Sequence, residues 1–138
     1  MLTIYTGNHY NAVKDITADY TFPENGISPW EQLTWVDEHL VEFKERNVTV
    51  VTFSPYIMNY MNLLIIRKDL TDGDINAFER YLDKDDETKE VNEFDLKIYN
   101  GKTNEFTCID TRCLSDTISY IYMLYDKEKI KNNGEEDV

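Results

Sequence analysis

Two helix starts of the same form, separated by a β-branched run, constrain the fold of this chain more than any other feature. Ser28 and Ser54 are N-cap residues that are each followed by proline, and Glu31 completes a capping box with Ser28. Between the two starts, Val48 to Phe53 (V-T-V-V-T-F) is typical of a buried strand. Such a strand after a helix that follows an earlier strand predicts a right-handed crossover and a parallel pair.

Each of the two predicted helices has its own pattern of apolar residues. The second, Tyr56 to Lys68, is apolar almost all round, so we expect it to be deeply buried or covered by a partner. The first ends near Asn47, and its apolar residues recur at the spacing of one helix face: Trp30, Leu33, Val36, Leu40 and Phe43.

The pattern predicts further elements on both sides of this centre. Ile75, Phe78 and Leu82 suggest a short amphipathic helix, and Asp83 to Glu90 is typical of a charged surface loop. Three elements are expected before the first helix: a strand at Met1 to Thr6, one helical turn at Tyr10 to Asp15 and a strand at Ile16 to Phe22.

The C-terminal third predicts a hairpin and a covering helix. Asn100-Gly101 separates an alternating run through Phe94, Leu96 and Ile98 from a second run at Glu105 to Ile109. The apolar face of the last helix is expected to consist of Leu114, Ile118, Ile121, Tyr122 and Tyr125.

We therefore expect one small layered α/β domain over residues 1–126, with a partly parallel sheet, flanking helices and a C-terminal β-hairpin plus helix. A flexible acidic and polar tail is expected over residues 127–138. The expected core consists of Leu2, Ile4, Leu33, Val36, Leu40, Val48, Val50, Leu64, Leu96, Ile98, Ile118 and Ile121.

The charge of the chain limits its partners. With 14 basic and 27 acidic residues the formal net charge is -13, yet 41% of the residues are hydrophobic, so the acidity belongs to a folded surface. Such a surface disfavours direct binding to nucleic acid or an anionic membrane and favours basic partners. Cys108 and Cys113 have no second pair to complete a zinc site. Without a signal-peptide pattern in residues 1–15 or a membrane-length apolar run, we expect a soluble cytoplasmic protein.

Three segments resemble motifs of the ATP-binding-cassette type ATPase domains of the SMC, RecF and OLD-nuclease group, including related AAA-type ATPases. Leu2 to Asp15 resembles the strand and phosphate loop, G-x-x-x-x-G-K-S/T. Thr21 to Gln32 (T-F-P-E-N-G-I-S-P-W-E-Q) resembles the Walker B segment D-E-P-E-x-G-L-x-P-x-x-Q, and Thr52 to Met58 resembles the switch segment T-H-S-P-Y. The resemblance implies a reduced P-loop NTPase-like fold, shortened because the family's long insertion and its L-S-G-G signature are missing.

The phosphate-loop segment departs from the family at the residues that bind phosphate. Gly7 is retained, but Ala12 stands at the second glycine, Val13 at the lysine and Lys14 at the magnesium-binding serine or threonine. A one-residue slip would let Lys14 replace the lysine, although the neighbouring Asp15 and the missing glycine argue against this.

The other two segments lack their reactive residues. Thr21 stands at the metal-associated aspartate, Phe22 at the glutamate that activates water, and Phe53 at the histidine that senses the terminal phosphate. The retained prolines, glycine and serines have turn and cap roles that a fold needs without ATP. The resemblance therefore implies a catalytically inactive pseudo-ATPase with no cofactor, and it fits a phage or mobile-element protein.

Two non-enzymatic functions remain open. A pseudo-ATPase would bind another protein, such as a cassette ATPase or its own copy, and its candidate interaction face is Trp30, Trp35, Tyr56, Tyr60 and Met61. Alternatively, the acidic surface is the active feature, and the chain mimics DNA to inhibit a basic nucleic-acid-binding protein. The candidate acidic face for that function is Glu38, Glu42 and Glu45.

Metal chemistry is the remaining alternative. Glu24, Asp95, Asp110 and Asp116 are the acids that would have to gather for a residual metal-dependent nuclease or nucleotidase. With 27 acids in the chain, chance clusters are expected, so we predict no metal site and no catalytic residue. His9 and His39 are expected in a loop and on a helix surface.

Overall fold

Both Ser-Pro helix starts are present in the structure, a computed structural model that describes residues 1–83, 90–110 and 112–136 without the side chains of 113–116 and 134–136. Ser28 Oγ accepts the amide hydrogen of Glu31 at 3.3 Å, and its hydroxyl donates to the Glu31 carboxylate at 2.8 Å. Ser54 Oγ accepts the amide hydrogen of Ile57 at 3.3 Å. The caps predicted from the sequence are therefore confirmed.

The described residues form seven strands, three α-helices and a 3₁₀ turn at Tyr10–Ala12. The helices are α1 (Pro29–Glu45), α2 (Pro55–Ile66) and α3 (Arg112–Glu136). The strands are β1 (Leu2–Gly7), β2 (Tyr20–Thr21), β3 (Val48–Val51), β4 (Ile75–Leu82), β5 (Val91–Asp95), β6 (Lys97–Tyr99) and β7 (Phe106–Ile109).

A five-stranded sheet has the order β2-β3-β1-β4-β5, in which the first four strands are parallel and β5 is antiparallel to β4. The crossovers through α1 and α2 run in the same direction along the sheet, which brings both helices to one face. Alternate strand residues on that face, such as Leu2, Ile4 and Ile75, are fully buried with residues of α1 and α2. On the opposite face, Tyr5 and Phe78 stack at 5.4 Å and are half-buried. The expected α/β domain with a partly parallel sheet is present, in two layers.

The hairpin of β6 and β7 is also present and is attached to the main domain by polar contacts. The Asn62 side chain donates to the Ile109 carbonyl at 2.9 Å and accepts the Ile109 amide hydrogen at 2.7 Å. Lys97 Nζ donates to the Asp72 carboxylate, to which Tyr99 also donates at 2.6 Å. The Lys97 side chain is only 8% exposed. These contacts fix both strands of the hairpin against the elements before it.

The helix predicted from Ile75, Phe78 and Leu82 is wrong, because this segment is strand β4. Its helical spacing is incidental: Ile75, Ala77 and Glu79 are buried on one face of the sheet, while Phe78 lies on the other. A carboxylate at a buried position hides the alternation that would have predicted a strand. Pairing with β1 from Ile75 to Arg80 outweighs the local pattern.

The expected core is correct around the sheet and wrong at its periphery. Leu33 and Leu40 of α1 are only half-buried, because the buried stripe of this helix is Gln32, Val36 and Phe43. Seven of the expected residues are buried: Leu2, Ile4, Val36, Val48, Val50, Leu64 and Leu96. Three are exposed: Ile98, Ile118 and Ile121.

The covering role predicted for the last helix is wrong. α3 forms, but Ile118, Ile121, Tyr122 and Tyr125 are exposed, and every side chain described from 117 to 133 is exposed. The helix also continues from Lys127 to Glu136, where a flexible tail is expected, because lysine and glutamate are good helix formers. The strand expected over residues 16–22 is limited to β2. Residues 84–89 of the predicted charged loop lie outside the described residues.

Candidate functional site

The three motif-like segments meet at one edge of the sheet. Strands β1, β3 and β2 are parallel neighbours, so their carboxyl ends lie side by side. The residues that follow these ends are Asn8, Thr52 and Phe22. In open α/β sheets, ligands bind outside the carboxyl ends of the strands. This carboxyl edge is therefore the candidate site, and its side chains decide what it can bind.

The loop after β1 uses its own backbone amides within the protein. Four amides donate to protein acceptors at 3.0–3.3 Å: those of Asn8, Asn11, Ala12 and Val13. His9 caps the 3₁₀ turn, because its Nδ1 accepts the Asn11 amide hydrogen. A phosphate-binding loop must instead direct its amides at the ligand and lead into a helix whose N-terminus faces the phosphate. Here the loop leads into a single 3₁₀ turn.

Gly7 has a packing role in this loop. A Cβ atom at Gly7 would lie 2.7 Å from the Arg80 carbonyl oxygen, so only glycine fits between β1 and β4. The next residue, Asn8, bonds to Leu82 through both side-chain atoms, donating at 2.8 Å and accepting at 2.9 Å. The start of the loop is therefore attached to β4 and does not form an open phosphate cradle.

The residues at the family's lysine and second glycine positions are part of the interior. Ala12 and Val13 are buried. Lys14 is exposed and lines an open cleft of about 300 Å³ with Thr21 and Phe53, and no other charged side chain is among the described residues that line it. The neighbouring Asp15 pairs with Arg80 at 2.8 Å. The exposed position of Lys14 is compatible with the one-residue slip that would let it replace the family's lysine. The amides of Ala12 and Val13 beside it, however, already donate to protein acceptors.

The Walker B-like segment begins in an aromatic cluster. Phe22 is 7% exposed and stacks on Trp35 of α1, with ring centroids 4.1 Å apart and planes within 9°. His39 also stacks on Trp35, with ring centroids 4.4 Å apart. This contact leaves His39 half-buried, whereas the sequence predicts a helix-surface residue. Thr21 is exposed at the rim. The position of the family's catalytic glutamate is thus occupied by a core side chain.

The switch-like segment is held by a buried polar network. The Ser54 hydroxyl donates to Gln32 of α1, and the Ser54 amide donates to Thr52 Oγ1 at 3.1 Å. Thr52, Ser54 and Gln32 are all buried. Phe53, at the position of the family's histidine, instead lies exposed between two clefts. The segment therefore joins α1 to α2, and Ser54 and Gln32 have a structural role in this contact.

A second opening at this edge is an uncharged cleft of about 370 Å³. Aromatic, aliphatic and neutral polar side chains line it: Thr21, Phe22, Pro23, Gln32, Val51, Phe53, Ser54, Pro55 and Tyr56. Magnesium binding needs anionic ligands, which the described lining of this cleft does not supply. This cleft can offer apolar contact and a few hydroxyl groups.

The structure divides the candidate interaction face. Met61 is buried in the core and cannot contact a partner. Trp35 and Tyr60 are half-buried, and the Tyr60 hydroxyl donates to the Asp37 carboxylate, which raises the pKa of Tyr60. Only Trp30 and Tyr56 are exposed. The five residues do not form one accessible surface.

The candidate acidic face is partly neutralised. Glu38 and Glu45 are exposed, whereas Glu42 accepts hydrogen bonds from the Tyr20 hydroxyl (3.0 Å) and from Arg46. Burial alone would raise the pKa of Glu42, but these hydrogen bonds outweigh it and lower the pKa. The same bond to Glu42 raises the pKa of Tyr20.

Two of the four acids considered for a metal site lie at one cleft. Asp95 and Asp110 line a cleft of about 380 Å³ together with Glu79. Glu79 was not among the acids considered from the sequence, because its segment was expected to be a helix. Glu24 does not line it, and the side chain of Asp116 lies outside the described residues. In the part of the chain that is described, no group of three histidine, cysteine or acidic side chains is placed to hold a metal ion.

No protein-family profile matches this chain, and no curated protein or solved structure is significantly similar to it. Its class therefore follows from its own geometry: a two-layer α/β domain whose mostly parallel sheet has an uncharged cleft at its carboxyl edge. Across the described ranges, no helix has the length and apolar character needed to cross a membrane.

Proposed function

We propose that the chain is a catalytically inactive pseudo-ATPase that acts in the cytoplasm as a protein–protein interaction or structural module. The observation that carries this proposal is the carboxyl edge of the sheet. Segments that resemble three nucleotide-binding motifs follow three neighbouring parallel strands there, yet four of the loop amides are bonded within the protein. The scaffold of a nucleotide site supports common ancestry, and its occupied donors support loss of the chemistry.

The positions of the reactive residues support the same proposal. Phe22 is committed to the aromatic cluster, Val13 is buried, and Phe53 and Thr21 offer neither a carboxylate nor an imidazole. The retained Ser54 and Gln32 bond to each other and so serve the fold. A protein that keeps the fold without the chemistry can still present a surface to a partner.

The test is nucleotide binding, measured by thermal shift and calorimetry with Mg-ATP, Mg-ADP and AMP. A ligand present at 100 times its Kd stabilises the folded state by about 2.7 kcal/mol. For a chain of this size that corresponds to a rise in Tm of roughly 9 °C, so even modest affinity is measurable. We expect no shift and no heat of binding with any of the three nucleotides.

A Mg-ATP-dependent rise in Tm would overturn the pseudo-ATPase proposal. Lys14→Ala then separates two causes. If the shift disappears in this variant, the lysine acts through the one-residue slip, and if it persists, nucleotide binds elsewhere. Lys44→Ala on α1 is the matched control, since it removes another exposed lysine from a helix away from the carboxyl edge.

The acidic DNA-mimic function is the second candidate, favoured by the net charge of -13 and by the exposure of Glu38 and Glu45. It ranks second because Glu42, the middle acid of the face, is already paired with Arg46. Its signature is capture of a basic protein that weakens steeply with salt and is lost in the variant Glu38→Lys with Glu45→Lys. Capture that is unaffected by salt and by the double substitution would exclude the DNA-mimic function.

A further inference from the structure

α3 presents a large apolar surface that nothing in the described chain covers. Its large apolar side chains are between 42% and 72% exposed: Ile118, Tyr120, Ile121, Tyr122, Met123, Leu124, Tyr125 and Ile130. A helix that is apolar all round is normally buried. The 25 residues of α3 extend about 37 Å. An exposed apolar helix of this length is therefore a candidate for association.

The area is sufficient for a stable interface. A large apolar or aromatic side chain that is half exposed contributes on the order of 100 Å², so the eight together present about 800 Å². Both sides of the helix together therefore approach the ~800 Å² that each partner contributes to a standard interface, and the four residues of one side supply about half of it. Two opposite sides of the helix carry it, one through Ile118, Ile121, Tyr122 and Tyr125 and the other through Tyr120, Met123 and Leu124.

The distribution of charge favours a second copy of this chain as the occupant. Residues 112–136 contain four basic and five acidic residues, a net charge of -1, whereas residues 1–111 contain ten basic and twenty-one acidic residues, a net charge of -11. A basic partner would be attracted to the acidic domain and has no electrostatic reason to choose α3. Two copies repel each other everywhere except along this nearly neutral helix.

Charge also selects the direction of pairing. In an antiparallel pair centred between Ile121 and Tyr122, the two helix starts at Arg112 lie roughly 28 Å apart along the bundle, at 1.5 Å per residue. In a parallel pair they would lie about 8–10 Å apart, the usual distance between packed helices. The Debye length at physiological salt is about 8 Å, so only the antiparallel arrangement screens the two acidic domains from each other.

We propose that α3 is a self-association element, which packs antiparallel against α3 of a second copy through Ile118, Ile121, Tyr122 and Tyr125. The remaining apolar side of the helix then supports association of two such pairs. The proposal rests on the interaction-module function in that it names a surface and a partner for it. It does not depend on the state of the nucleotide edge.

The first test is the mass of the protein in solution, by sedimentation equilibrium and light scattering over a wide range of concentration. We expect the wild type to be at least a dimer and Ile121→Asp with Tyr125→Asp to be a monomer with unchanged unfolding of the α/β domain. Val41→Asp with Ile66→Asp is the matched control, because it places the same charges at two exposed apolar positions outside α3, and it should associate as the wild type does. A monomeric wild type, or an α3 variant that associates as strongly as the control, would overturn the proposal.

The second test is the direction of pairing, by disulfide cross-linking in a background with Cys108→Ser and Cys113→Ser. We expect a mixture of Ile118→Cys and Tyr125→Cys chains to give the mixed disulfide, because these positions face each other in the antiparallel pair. Disulfides only between identical chains would refute the antiparallel arrangement. A monomeric wild type would leave the pseudo-ATPase proposal intact, and Mg-ATP binding would leave the α3 proposal intact, so the two failures are distinguishable.

Discussion

Replacing Phe22 by glutamate tests whether the family's catalytic acid can be put back into this fold. Phe22 is almost fully buried and stacks on Trp35 within the core cluster. Removing a buried phenylalanine costs about 3–5 kcal/mol, and a buried carboxylate without a partner adds to that cost. We therefore expect Phe22→Glu to lower the free energy of unfolding by at least about 4 kcal/mol, a large part of the 5–15 kcal/mol of a typical domain.

The assay is urea unfolding followed by tryptophan fluorescence and far-ultraviolet circular dichroism, with Tm as a second readout. A loss of this size should lower Tm by on the order of 10–20 °C. Phe53→Glu is the matched control, because it makes the same chemical change at an exposed position of the same cleft. Surface substitutions of this kind usually alter stability by no more than about 0.5 kcal/mol.

Equal unfolding midpoints for Phe22→Glu and Phe53→Glu would refute the reasoning. The side chain at Phe22 would then be dispensable for the core, and the absence of an acid there would need another explanation. A double-mutant cycle with Phe22→Leu and Trp35→Leu adds a direct measure, since stacked aromatic pairs contribute about 0.5–1.5 kcal/mol beyond their buried area.

Two further predictions concern the strand contact at β1 and the polar contact beside the hairpin. Gly7→Ala should destabilise the domain by about 1–3 kcal/mol in urea unfolding, because the new Cβ would meet a backbone oxygen. Gly73→Ala should be near neutral, because Gly73 has open space around it. Equal effects of the two substitutions would contradict this prediction. Asp72→Asn should destabilise the domain at neutral pH. The hydrogen bond from Lys97 lowers the pKa of Asp72, so the stabilisation is present above the unfolded-state pKa of about 4 and is lost as pH falls through the folded-state pKa. The difference from wild type should vanish in acid, and a pH-independent difference would refute the mechanism.

The sequence predicts elements well where local chemistry determines them. α1 and α2 begin where Ser28 and Ser54 cap them, and β1 and β3 follow from short apolar runs. The hairpin of β6 and β7 follows from Asn100-Gly101. These signals operate within a few residues, so neither the rest of the fold nor the partner is needed to interpret them.

Long-range contacts are what the sequence does not reveal. β4 is a strand because it pairs with β1, more than seventy positions away in the chain, and the buried Glu79 disguises its alternation. The buried face of α1 is rotated towards Gln32, because the Gln32 side chain meets Ser54 of the next helix segment. An apolar helix face predicts burial without saying against what, which is why α3 was expected to cover its own domain.

The candidate site depends both on local sequence and on long-range contacts. Motif comparison identifies its substituted side chains but not the hydrogen bonding of the loop after β1. Substitutions at Thr21, Phe22 and Phe53 can be read from the sequence, and two of these side chains are exposed, so an acid or a histidine could be introduced there without disturbing the core. The loop after β1 is different. Four of its amides are bonded within the protein, and Asn8 attaches it to β4 through both polar atoms of its side chain. Restoring the visible motif residues would therefore not restore phosphate binding, because the missing component is a backbone conformation and not a side chain.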